Sequence, residues 1–78
     1  MKQIVFMKPA EKYLNKQPAQ AAARILLAIY RLPNGDIKTL QNTDDACRLR
    51  VGGVRVIFKQ EGNQITIREI DNRGDAYK

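Results

Sequence analysis

The stretch CRLRVGGVRVIFK, residues 47–59, carries three arginines and one lysine. A guanidinium is planar, keeps its charge at any physiological pH and offers a fork of donors that matches two phosphate oxygens at once. The same permanence makes it a poor base. Arginines at this density suit the binding of anions and the stabilisation of developing negative charge, and are ill suited to shuttling protons.

The residues between the arginines say what positions them. Both halves of the stretch alternate polar and apolar residues, the period of a half-buried strand, and Gly52-Gly53 suits a tight two-residue turn. With that turn, Val51 faces Val54, Arg50 faces Arg55, Leu49 faces Val56 and Cys47 faces Phe58. Alternation then puts Cys47, Leu49, Val51, Val54, Val56 and Phe58 on the core side. Arg48, Arg50, Arg55 and Lys59 share the other side with Ile57. Like charges directly across a strand pair weaken it, so the Arg50–Arg55 pairing carries a local cost that an anionic partner would offset.

Composition agrees with an anionic partner. The chain has 78 residues, enough for one small domain, and a net charge of +6, a bias toward polyanions such as nucleic acid. One cysteine forms no intrachain disulfide, and Cys47 on the core face reads as a small buried hydrophobe in a reducing, cytoplasmic setting. With no histidine and a single cysteine, neither a zinc site nor any other metal or cofactor is expected. No apolar run is long enough to cross a membrane, so no membrane partner is expected either.

Around the hairpin the chain reads as a single domain over residues 1–78. KQIVFMK is a first short strand, with Ile4 and Phe6 on one face and Val5 and Met7 on the other, which suggests cover on both sides, at least in part. Pro9 opens a helix through about Asn15, and Pro18 opens a second. In that second helix Ala22, Ile25, Leu26 and Ile29 recur at helical spacing, and LPNGD stops it. Tyr13 and Tyr30 are expected at helix interfaces. IKTLQNTDDA reads as a polar connection. The last strand, QITIREI, follows a turn at Glu61-Gly62, a register that sets Ile67 beside Val56, Ile65 beside Phe58 and Arg68 beside Arg55. Its alternation slips between Ile67 and Ile70, the mark of a β-bulge near Arg68-Glu69. The order β-α-α-β-β-β predicts an α+β fold: two N-terminal helices packed on a small, mostly antiparallel four-stranded sheet, with one sheet face open.

RLRVGGVRVIF followed by ITIREIDNRGDAYK resembles the RelE/ParE superfamily of toxins from bacterial type II toxin–antitoxin pairs. The resemblance runs through nearly the whole chain, including LPNGDIKTL. It implies a RelE-like fold, a cognate antitoxin as partner, and a ribosome-dependent mRNA endonuclease (an mRNA interferase) acting in the ribosomal A site. Such an enzyme drives a ribose 2′-hydroxyl against the adjacent phosphate and leaves a 2′,3′-cyclic phosphate. The family pattern carries over to Arg48 and Arg50 on the first hairpin strand, to Arg55 after the glycines, and to Arg73 and Tyr77 near the C-terminus. Those five are the catalytic candidates. Arg48, Arg50, Arg55, Lys59 and Arg68 are the RNA-binding candidates.

Relatives often place lysines where Arg48 and Arg50 stand, so this chain needs its base elsewhere. Tyr77 is the substitute, because neighbouring guanidinium groups favour a phenolate. Stacking on a base is the other role open to it. Asp75 is the other ionisable candidate for the base, with an ion pair to Arg73 or another arginine as its plainer reading, and Glu69 and Asp71 read as local charge partners. Lys2, Lys8, Lys12, Lys16 and Lys38 read as solvent-facing charges that assist attraction to RNA. Two other functions fit the same fold: a ParE-like inhibitor of DNA gyrase, and a nucleic-acid-binding module without catalysis. For the arginines themselves, a solvated basic face is the plainer alternative.

Overall fold

The computed structural model describes residues 3–32, 34–39 and 46–72. β1 (Gln3–Phe6) leads into α1 (Lys8–Asn15), with Pro9 in the first turn, where its missing N–H leaves no helical bond unmade. Glu11 lies in the same turn, against the positive end of the helix dipole. Eight residues cannot hold a helix in water unaided. Packing holds this one: Ala10 is fully buried and the helix lies along the last strand of the sheet.

α2 (Ala19–Tyr30) starts behind Pro18 and buries Ile25 and Ile29, with Leu32 following them into the core from the turn beyond. Ala22 and Leu26 flank that stripe, half-buried. Tyr13 of α1 packs against the core, as expected. Tyr30 does not; it is 58% exposed. One position past the inward-facing Ile29, it is rotated by about 100° around the helix and away from the sheet.

β2 (Asp36–Thr39), β3 (Cys47–Val51), β4 (Val54–Glu61) and β5 (Gln64–Asp71) complete a five-stranded sheet in the order β1-β5-β4-β3-β2. β1 runs parallel to β5 and every other neighbour is antiparallel. The sheet thus has one strand more than the sequence suggested, because Asp36–Thr39, read as the end of the helix stop and the start of a polar connection, pairs with β3. Ile37 is the sole apolar residue of DIKT; it lies opposite Leu49 and packs against the core.

The β3–β4 hairpin has the expected register at every pair: Cys47↔Phe58, Leu49↔Val56, Arg50↔Arg55 and Val51↔Val54. Gly52 takes φ +62°, a conformation that side-chain-bearing residues avoid, and that fixes the turn. Leu49, Val56 and Phe58 are buried under the helices, whereas Cys47, Val51 and Val54 pack half-buried at the margin. On β1, Ile4 and Phe6 join the core, whereas Val5 and the following Met7 are 38% and 47% exposed, so the second face is covered only in part.

β5 departs from the expected register. The turn is Gly62-Asn63, with Glu61 opposite Gln64, so Ile65 meets Gln60 and Ile67 meets Phe58. This two-residue offset keeps the alternation, and Ile65 and Ile67 are still completely buried. The bulge is where the alternation slipped. Pairing passes from Phe58↔Ile67 to Ile57↔Glu69, leaving Arg68 as the extra residue on β5. Beyond it Ile70 meets Val56 and Asp71 meets Arg55. Arg68 is therefore not beside Arg55; the carboxylate of the following turn of alternation is.

Candidate functional site

The face of the sheet turned away from the helices is organised in rows across the strands. One row runs Asp36, Arg50, Arg55, Asp71 and the next Lys38, Arg48, Ile57, Glu69. Lys59 and Thr66 form a third pair further along β4 and β5. Adjacent residues on one face of a strand are about 6.8 Å apart and strands about 4.8 Å apart, so Arg48, Arg50 and Arg55 stand within one phosphodiester's reach of each other. Arg50 is exposed, while Arg48, Arg55 and Lys59 are half-buried.

Burial and charge differ along the rows. The Nε atoms of Arg48 and Arg55 are both screened from solvent. Arg55 Nε lies 3.6 Å from Asp71 Oδ1, and Lys59 Nζ lies 4.0 Å from Glu61 Oε1. Pairs as accessible as these contribute about 0.2–1 kcal/mol each. The contact with Asp71 nevertheless changes the electrostatic argument. The Arg50–Arg55 repulsion is offset within the sheet, by a carboxylate across from Arg55, and needs no external anion for folding. Ile57 is 8% exposed although it faces away from the helices and lies outside the main core cluster. An isoleucine there gives long basic side chains an apolar floor for their stems.

Of the residues singled out in the sequence, Arg48, Arg50, Arg55 and Lys59 share this face. Arg68, at the bulge, has no cross-strand partner in the register. Arg73, Asp75 and Tyr77 lie outside the described residues. Two participants were missed. Lys38, taken for a general solvent charge, stands across from Arg48; its signal was hidden by the brevity of β2. Asp71 was read as a charge partner without its arginine, since the register of β5 decides which one it meets. Among the described residues, no group of three or more His, Cys, Asp or Glu could hold a metal ion, and no helix is long and apolar enough to cross a membrane. A cavity of about 240 Å³ opens between the end of α2 and β3, lined by Ala28, Arg31, Leu49, Arg50 and their neighbours. It is smaller than the usual small-molecule site.

A two-helix layer packed on a β1-β5-β4-β3-β2 sheet is the RelE-like toxin fold. No protein-family model matches the sequence, nor does any curated protein sequence. Solved structures do match. The chain is similar to a chain of the RelB–RelE antitoxin–toxin complex of Methanococcus jannaschii, with 26% identity, 94% of each chain covered and a TM-score of 0.74. It is similar to one of the archaeal RelE–RelB complex of Pyrococcus horikoshii, with 25% identity, 94% and 96% covered and a TM-score of 0.73. A chain of the RelBE2 toxin–antitoxin complex of Mycobacterium tuberculosis shares the fold at 20% identity, with 92% and 98% covered and a TM-score of 0.78.

Proposed function

We propose that this protein is the toxin of a type II toxin–antitoxin pair and acts as a ribosome-dependent mRNA endonuclease. The observation that carries the reading is the pair of rows containing Arg48, Arg50, Arg55 and Lys38 on the open face of a RelE-like sheet. Arg48, Arg50 and Arg55 hold the scissile phosphate and stabilise the charge that accumulates on it as the 2′-oxygen attacks. The 2′-hydroxyl gives its proton to a base, the 2′-oxygen bonds to phosphorus, and the 5′-oxygen leaves with a proton. A 2′,3′-cyclic phosphate remains. Tyr77 takes the role of base and Arg73 that of a further phosphate ligand. Arg68 and Lys59 contact the RNA on either side of the reacting phosphate. A RelB-type antitoxin is the cognate protein partner, and the ribosome as target makes the cytoplasm the working compartment.

A second reading draws on the Arg55–Asp71 pair. Because that carboxylate already offsets the arginine row, the same face also suits a nucleic-acid-binding module without catalysis. Induced expression followed by mapping of mRNA ends separates the two. Cuts confined to translated messages, with 2′,3′-cyclic phosphate termini, support the endonuclease. Intact mRNA with bound RNA supports the module, and intact mRNA with DNA breaks points to gyrase.

A further inference from the structure

Asp71 owes its place on the basic face to one residue. Were the register of the Gly62-Asn63 turn to continue unbroken, Ile70 would stand opposite Arg55 and Asp71 would fall opposite Val54, on the side covered by helices. The extra residue Arg68 exchanges them. Ile70 goes into the core, 5% exposed and across from Val56, and Asp71 emerges opposite Arg55. Bulges recur beside functional sites because they re-aim a side chain in this way.

Once there, the Asp71 carboxylate meets one edge of its partner. The contact is to Nε, at 3.6 Å, and that nitrogen is screened from solvent and makes no hydrogen bond. The distance is that of an ion pair and is longer than a hydrogen bond. A guanidinium presents more than one donor edge. Holding it by the Nε side leaves the two Nη groups, the edge that grips two phosphate oxygens together, free to turn outward.

We propose that Asp71 is a positioning residue: it fixes the Arg55 guanidinium so that its Nη edge meets the scissile phosphate. The proposal rests on the reading that this face binds RNA for cleavage. Its consequence is a pair of effects with opposite signs. Removing the carboxylate makes the face more positive by one charge, which strengthens general attraction to RNA. The same change frees the arginine to wander, which weakens the reaction, since misplacement of about 1 Å can cost roughly 100-fold. A carboxylate that merely tuned surface charge would move both in the same direction.

The test compares the full chain with its Asp71→Asn variant, which keeps the side chain's size and removes its charge. Three measurements are made: the Arg55 Nε–H signal by ¹⁵N NMR, affinity for a single-stranded RNA oligonucleotide, and single-turnover cleavage of mRNA on programmed ribosomes. In the parent the Nε–H exchanges slowly, and in the variant it exchanges fast. Oligonucleotide affinity stays equal or rises a few-fold, while cleavage falls about 2- to 5-fold, the most that a pair this accessible can hold in place. Asp71→Glu recovers part of the loss, and adding Asp71→Asn to Arg55→Ala brings no further loss. An Nε–H signal untouched by Asp71→Asn, or cleavage that rises with affinity, overturns the proposal. If the parent chain cuts no mRNA, the enzymatic reading fails on its own, and the NMR signal still decides whether Asp71 holds Arg55.

Discussion

Arg50→Ala separates the binding role of the open face from its structural role. Arg50 is the exposed member of its row, directly across from Arg55 and from Asp36 on the other side. If it holds one phosphate of a single-stranded RNA, its loss reduces the slope of log affinity against log salt by about 0.7. Between about 50 and 200 mM salt, a fourfold change, that difference amounts to roughly 2.6-fold. The variant is therefore weaker than the parent at both salts, but its deficit narrows by that factor as salt rises. Fluorescence anisotropy of a labelled RNA oligonucleotide across that range reads both quantities. Stability moves the other way or not at all. Truncation relieves the repulsion with Arg55, and an exposed substitution stays within about ±0.5 kcal/mol. A slope equal to the parent's removes Arg50 from the RNA contact. A destabilisation above about 1 kcal/mol in denaturant titration refutes the account of the row as self-repelling.

Tyr77→Phe keeps the ring and removes the hydroxyl, so single-turnover cleavage on programmed ribosomes falls by about 10²–10⁴-fold if the phenolate is the base. Full activity in Tyr77→Phe with loss in Tyr77→Ala assigns the ring to stacking instead. Gly52→Ala adds a methyl that meets nothing within 4 Å, so φ +62° alone sets its cost. Denaturant unfolding is expected to report a loss of about 1–2 kcal/mol, and a neutral result would mean the turn relaxes to another type.

The β3–β4 hairpin was legible in the sequence because two independent signals coincide there. Strict alternation fixes which residues share a face, and the glycine pair fixes which residues face each other. β2 offers neither, since Ile37 alone points to the core and no alternation can be seen in a single apolar residue. β5 shows what alternation leaves open. An error of one residue in its turn shifts the pairing by two and so preserves every inward residue: Ile65 and Ile67 were placed correctly on the core side while their partners were not. The slip between Ile67 and Ile70 located the bulge, yet the identity of Arg55's neighbour depended on the offset and the bulge together. Tyr30 failed for a simpler reason: an aromatic residue beside a buried helical stripe is not necessarily on it.

The parallel pairing of β1 with β5 imposes an order on events. Gln3 pairs with Gln64, 61 positions later, and α1 rests on the same distant strand. Closing a loop of that length costs about 3–4 kcal/mol beyond a fixed constant, before any contact between those segments rewards it. The β3-β4-β5 meander needs only short turns, so it can assemble early and wait. During synthesis the first strand and helix emerge long before the surface they rest on exists. A ribosome making this protein thus carries an unfinished sheet until β5 has left it, and only then can the N-terminal segment settle as the last piece.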